Sequence, residues 1–189
     1  MSRVPLTTQS DLPEDYQYLM DEDALGERNI FRAMGNNPDI LKSYMLYGTT
    51  VWNECGLSAH GRELVILAIA RKLESEYEWE QHVDIGYDAD VTGEEMRAIG
   101  RDDLSYFDDD IQAALEYAKA FAVNEVTDEL TEQLSTHYDD KTVVGIGMLS
   151  SHYVATGYML ESFDVPLELD EFVGWEPSDE DIMRVVEEA

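Results

Sequence analysis

The sequence predicts an all-α protein, because no alternating Val, Ile or Thr run bounded by Asn-Gly or Asp-Gly turns occurs in it. Apolar residues recur instead at three and four positions, with capping residues between the runs. The first helix is expected over 25–35. A second spans 38–54, with Pro38 at the first position, where the missing N–H costs nothing. Ser58 caps a third over 59–73, and a fourth follows over 75–89. Thr92 and Glu95 form a capping box for 93–99. Helices over 109–124, 128–137 and 141–162 complete the core. Residues 1–24, and the segment from Phe163 to Ala189 with Pro166, Pro177 and a short helical pattern from Asp179 to Glu188, read as extensions wrapped on the core or on a neighbouring subunit. No internal repeat, low-complexity tract or linker divides the chain, so 1–189 is read as one domain.

The chain has 189 residues, 44% of them hydrophobic, with 11 Tyr, 5 Phe and 3 Trp, enough to build a core of its own. A net charge of -30 therefore sits on a folded surface, not on a disordered chain, which would lack those residues. The acids are spread along the whole length, and lysine is reduced to Lys42, Lys72, Lys119 and Lys141. This is the pattern of a halophilic protein: at low ionic strength its self-repulsion opposes compaction, and at about 1 M salt the Debye length of about 3 Å removes it. Folding is expected to need molar salt. The same charge argues against nucleic acid and anionic membranes as partners.

Cys55 is the single cysteine, which excludes an intrachain disulfide, a CxxC redox pair and a cysteine-rich zinc site. The expected compartment is the cytoplasm. The longest aliphatic run, Leu64 to Ala70, is far short of a membrane span, and Met1 to Leu12 holds no signal-like apolar core.

The chemistry concentrates between Ser58 and Ala89. Leu64 to Ala70 is apolar on every side, the mark of a helix buried all round, so Glu63, at its margin beside Arg62, needs a partner. On the next helix, 100° spacing sets Glu76, Glu80, Asp84 and Asp88 along one side as a solvated acidic stripe. The opposite side collects Ser75, Glu78, Trp79, His82, Ile85, Gly86 and Ala89. Glu78 and His82, one turn apart on an inward face, either share a proton in acid/base work or satisfy each other as a structural pair. His152 falls on the inward stripe of the 141–162 helix with Gly145, Met148, Leu149, Thr156 and Met159, and is either a core histidine or a second member of the site. His60 and His137 are expected to be exposed.

Asn29-Ile-Phe-Arg32, Asn36-Asn-Pro-Asp39, Leu57-Ser58 with Arg62-Glu-Leu-Val-Ile-Leu67, Ser75-Glu-Tyr-Glu-Trp-Glu-Gln-His82 and Ser151-His-Tyr153 resemble the carboxymuconolactone decarboxylase family, with its AhpD-like all-helical bundle. The Glu-Tyr-x-Trp-x-x-His string is the most specific part. The resemblance covers about residues 25–168, leaving 1–24 and 169–189 as additions, and the chain looks like a haloarchaeal-type acidic member. It implies a homo-oligomer (dimer, trimer or hexamer) and a pocket around the motif helix. The family's thiol-peroxidase branch carries Glu, then Cys-x-x-Cys, then His. Matched by position, the Glu is Glu63, the cysteines are replaced by Ser75 and Glu78, and the His is His82. Without a thiolate, disulfide and peroxide cycling has no carrier, and Cys55 stands 20 residues before Ser75 on another predicted helix.

The leading expectation is therefore a decarboxylase- or lactone-processing enzyme that acts on a small organic acid or lactone without a cofactor. His82 donates or accepts the proton, Glu78 and Glu63 tune it, and Tyr77, Trp79, Ser75, His152 and Arg62 bind the substrate. The alternatives are a non-catalytic oligomeric ligand binder, an antioxidant relative that has lost its thiol chemistry, and a divalent metal held by Glu63, Glu78, His82 and His152, which the resemblance does not imply. Ser75 as a nucleophile has no His-Asp relay in sequence and is better read as a cap. Arg62, Arg71 and Lys72 are expected to steer an anionic substrate toward the motif.

Overall fold

The computed structural model describes every residue except 1, 22, 23, 25, 170 and 189, and among the described residues all regular structure is helical. Among these described residues nine α-helices follow one another: α1 Asn29–Met34, α2 Pro38–Glu54, α3 Ala59–Leu73, α4 Glu76–Asp88, α5 Gly93–Gly100, α6 Asp109–Ala122, α7 Asp128–His137, α8 Asp140–Phe163 and α9 Asp179–Glu188. Short 3-10 turns occupy Gln9–Asp11, Glu14–Met20 and Leu104–Tyr106.

The helix boundaries trace to caps. Ser58 accepts the Gly61 N–H at 3.1 Å to start α3, and Asp139 accepts the Thr142 N–H at 2.9 Å to start α8. Helix α3 stops where Glu74 turns left-handed at φ 54°. Helix α1 is shorter than expected. Of the predicted stretch before Asn29, residue 25 lies outside the described residues and Gly26 adopts φ +66°, a left-handed turn incompatible with a continuous helix. Likewise α6 ends at Ala122 instead of 124 because Asn124 is left-handed at φ 58°.

Helix α3 runs through the centre, packed by α4, α5, α6 and α8. Leu64, Ile66, Leu67 and Ile69 are fully buried, and each such side chain stabilises the fold by roughly 1.5–3 kcal/mol. This is why the helix carries no polar face. Both extensions pack on this body. Leu12, Leu19 and Met20 join Ile30, Leu41, Tyr77 and Leu160 in a second cluster, and the Arg3 guanidinium donates to the Glu161 and Ser162 carbonyls at the C-terminus of α8, both at 3.0 Å.

The C-terminal extension corrects one expectation. Helix α9 lies on α4, burying Ile182 and Val185, so the acidic stripe of α4 is not uniformly solvated. Glu76 and Asp88 are exposed and Asp84 is half-buried, but Glu80 is only 1% exposed beneath the extension, where it faces the Leu169 N–H. Helical periodicity places Glu80 on the outer face of α4. It cannot reveal that a later segment covers that face.

Candidate active site

Helices α2, α4 and α8, together with the turn before α1, enclose an open cavity of about 1030 Å³. Three positions of α2 at steps of four, Tyr44, Gly48 and Trp52, face it. His82 enters from α4, and His152, Tyr153 and Thr156 enter from α8. The rings form a continuous aromatic wall. Tyr44 and His152 lie 4.8 Å apart, His152 and Tyr153 5.2 Å, Tyr153 and His82 5.0 Å, and His82 and Trp52 5.9 Å. Gly48 makes room for this wall, since a Cβ there would come within 3.0 Å of His152 Nε2.

The partner of His82 is Glu63, not Glu78. His82 Nδ1 lies 2.7 Å from Glu63 Oε2, with both side chains buried, and the other oxygen of Glu63 accepts from Arg62 Nε at 2.9 Å. Arg62 is itself fixed, its guanidinium 3.7 Å above the Trp52 ring and within 3.4 Å of the Trp52 carbonyl. This chain of contacts crosses from the first turns of α3 to the middle of α4. It answers why an acid stands at the margin of an apolar helix. It also fixes the ring: with Nδ1 committed to a carboxylate as donor, Nε2 is the nitrogen left for a ligand.

Glu78 is only 3% exposed, and neither of its carboxyl oxygens has a hydrogen-bond partner. Burial raises its proton affinity well above the carboxylate range, and the nearby Ser75 hydroxyl offsets this only partly. Against α8 its Oε2 is so close that a Cβ on Gly157 would approach it to 2.8 Å. His152 is driven the other way. Burial lowers it to about 4, with the His82 charge a smaller contribution, so at neutral pH its imidazole is uncharged.

The remaining expected site residues divide. Tyr77 lines the cavity, but its hydroxyl is occupied, donating to Glu168 at 2.6 Å and accepting from the Ile30 N–H at 3.1 Å. Trp79 does not reach the cavity. It is fully buried in the core, with its ring 5.4 Å from that of Trp175 in the C-terminal extension. Ser75 is the N-cap residue of α4 and lies outside the lining; Arg62 acts on the site from behind Trp52 and Glu63. Arg71 and Lys72 also lie away from it, Arg71 donating to the Gly100 carbonyl at 2.9 Å. The cation at the cavity is Arg28, whose guanidinium donates to Gln81 and favours the charged form of Asp84. The Tyr44-Gly48-Trp52 ladder was readable in sequence as an i, i+4, i+8 face. Arg28, in a turn brought in by tertiary packing, carried no such signal. Cys55 is buried at the end of α2 and does not line the cavity. Among the described residues no group of three His, Cys, Asp or Glu side chains is placed to hold a metal ion, and no helix is long and apolar enough to cross a membrane.

Residues 38–120, from the start of α2 to the last turn of α6, match the model of the carboxymuconolactone decarboxylase family. That match spans 83 of the chain's 189 residues. The chain's AhpD-like fold recurs in solved structures. One is the alkylhydroperoxidase AhpD core of a peroxidase-related protein from Ralstonia eutropha JMP134, with TM-score 0.76 and 18% identity over 94% of this chain and 98% of that one. Another is a cysteine-to-alanine variant of the debrominase Bmp8 in complex with 2,3,4-tribromopyrrole, with TM-score 0.76 and 16% identity over 100% and 99%. A third, an Agrobacterium tumefaciens protein of unknown function linked to AhpD-type antioxidant defence, has TM-score 0.63 and 15% identity over 71% and 94%. At these identities the likeness is one of fold. No curated protein sequence matches this chain.

Proposed function

We propose that this protein acts as a carboxymuconolactone decarboxylase-like, cofactor-independent acid/base enzyme on a small lactone or organic acid, with His82 as the proton-transfer group. The observation that carries this reading is the 2.7 Å contact between His82 Nδ1 and Glu63 at the wall of the cavity. Glu63 holds the ring in one tautomer and stabilises the imidazolium that forms when Nε2 takes a proton from a substrate carbon. Arg62 in turn holds Glu63. Such positioned proton transfer contributes roughly 10²–10⁴-fold to a rate. The resemblance sets Ser75 and Glu78 where the thiol-peroxidase branch carries its cysteines, so the reading involves no disulfide step.

The test is turnover of a panel of lactones and small organic acids in high salt, followed by proton exchange at the substrate carbons in deuterated water. His82→Ala should abolish exchange and turnover while leaving the helical spectrum unchanged. Retained exchange would remove His82 from this role, and a panel that binds without any exchange would favour a ligand-binding protein.

A homo-oligomer is part of the same proposal. Residues 142–160 of α8 contain no Asp, Glu, Lys or Arg, although charged residues make up 29% of the chain, and Val144, Met148 and Tyr158 stand exposed on that helix. Across such an uncharged face a second copy can approach without the repulsion that the acidic surface imposes elsewhere. Sedimentation of wild type against Tyr158→Glu would test this, with dissociation of the variant expected.

A further inference from the structure

The Glu78 carboxyl is enclosed by α2, α4 and α8, lines the cavity, and meets no hydrogen-bond partner within the protein. A buried polar group left in this state costs free energy that a ligand can recover. In the neutral form that burial imposes, it offers one O–H donor, and the nearby Ser75 hydroxyl does not reach hydrogen-bonding geometry with it. Tyr44, its neighbour on α2, shares its hydroxyl with Thr156 Oγ1 at 2.8 Å and so does not serve Glu78 either.

The charges around the cavity narrow what that ligand can be. Glu27 and Glu168 stand at its edge, Glu80 beneath it, and the one Arg or Lys among its described lining residues, Arg28, is engaged by Gln81 and Asp84. His152 is uncharged, and the Arg62 guanidinium is spent on Glu63 behind the Trp52 ring. A carboxylate carried into this space would lose its hydration and meet a single cation, Arg28, already set among the acids Glu27, Asp84 and Glu168. The aromatic wall from Tyr44 to Trp52 instead presents faces and edges suited to a flat ring.

We propose that the cavity selects an uncharged, planar cyclic carbonyl compound without a free carboxylate, whose carbonyl oxygen accepts a hydrogen bond from the Glu78 carboxylic acid. The proposal rests on the reading of His82 as the proton-transfer group and specifies its substrate. His82 Nε2 takes a proton from a saturated ring carbon α to the carbonyl or vinylogous with it; the C–H electron pair moves through the conjugated system to the carbonyl oxygen, held as an enolate by the Glu78 O–H. The proton returns from the imidazolium to the other end of the dienolate, so the step is an isomerisation that needs no co-reactant.

Calorimetric titration with coumalate, an unsaturated lactone carboxylate, and with its methyl ester tests this, because the two differ in charge at one ring. The experiment is run in molar salt with wild type, His82→Ala, Glu78→Leu and Glu78→Gln. The methyl ester should bind at least about tenfold tighter than coumalate to wild type and to His82→Ala. Glu78→Leu should weaken the ester by about tenfold, and Glu78→Gln, which keeps an N–H donor, by less. Equal or tighter binding of coumalate, an unaffected Glu78→Leu, or binding of neither compound would overturn the proposal. Failure of the His82 reading shows separately, as proton exchange surviving in His82→Ala while the ester preference stands.

Discussion

Glu63 and Glu78 lie on successive helices and are both withdrawn from solvent, Glu78 lining the cavity and Glu63 standing behind His82, yet their surroundings are opposite. Glu63 is held on both oxygens, by Arg62 at 2.9 Å and by His82 at 2.7 Å. Glu78 is held on neither. The difference shows that burial alone does not assign a carboxyl its task. On the proposed reading, a buried acid with a cation and an imidazole around it serves as an orienting group, whereas a buried acid with no charged partner and only a hydroxyl nearby serves as a neutral donor.

The largest expected effect comes from breaking the paired acid. Glu63→Ala leaves Arg62 and His82 facing a gap in a dry interior and should cost about 3–5 kcal/mol of unfolding free energy, as removal of one member of a buried ion pair does. Turnover should fall by roughly 10²-fold or more, because His82 loses its orientation. Denaturant titration beside the lactone panel reads both. A Glu63→Ala protein as stable as wild type would break the comparison.

The unpaired acid should behave in the opposite sense. Glu78→Leu is expected to raise stability near neutral pH by roughly 1–3 kcal/mol, the cost of a buried group without a partner. The sign follows from proton binding: folded Glu78 keeps its proton where the unfolded side chain loses it above about 4.5, so its presence lowers stability as pH rises past that value. Unfolding curves of wild type and Glu78→Leu should therefore diverge with increasing pH.

Arg62→Lys sharpens the comparison at smaller scale. A lysine keeps the charge but loses the Nε contact and the flat stacking on Trp52, and about 1 kcal/mol of stability should go with them. His152 supplies a pH test of the same wall. It stays neutral when folded down to about 4 but takes up a proton below 6.5 when unfolded, so stability falls as pH drops through that window, and His152→Phe should flatten the loss. Finally, salt should act on the surface acids and not on these two. Raising salt from about 0.1 M to 1 M shortens the Debye length from about 10 Å to 3 Å and should stabilise wild type, while the stability difference between wild type and Glu63→Ala stays unchanged within about 0.5 kcal/mol.

Much of the frame was legible because its signals are local. Ser58 and Thr92 mark helix starts by what their own side chains bond, and the all-round apolar run Leu64 to Ala70 announces a central helix. The inward placement of Glu78, His82 and His152 follows from 100° spacing on single helices. Which of these residues touch one another does not. Glu78 and His82 are one turn apart on α4 and point to one side, but the imidazole turns across to α3, where Glu63 stands with Arg62, and leaves Glu78 to the backbone of α8 at Gly157. Trp79 shares the inward face with His82 yet belongs to the core, because the C-terminal extension brings Trp175 over it.

By itself, then, the sequence determined the helices, the acidic surface, the missing cysteine pair and the short list of buried ionisable groups, since each depends on a residue's identity and its near neighbours along the chain. Only the tertiary structure decided the pairing of His82 with Glu63, the isolation of Glu78, the burial of Glu80 and the arrival of Arg28 at the cavity. Those depend on how separate helices and extensions meet, and hydrogen bonding at a few ångströms distinguishes neighbours that helical periodicity treats alike.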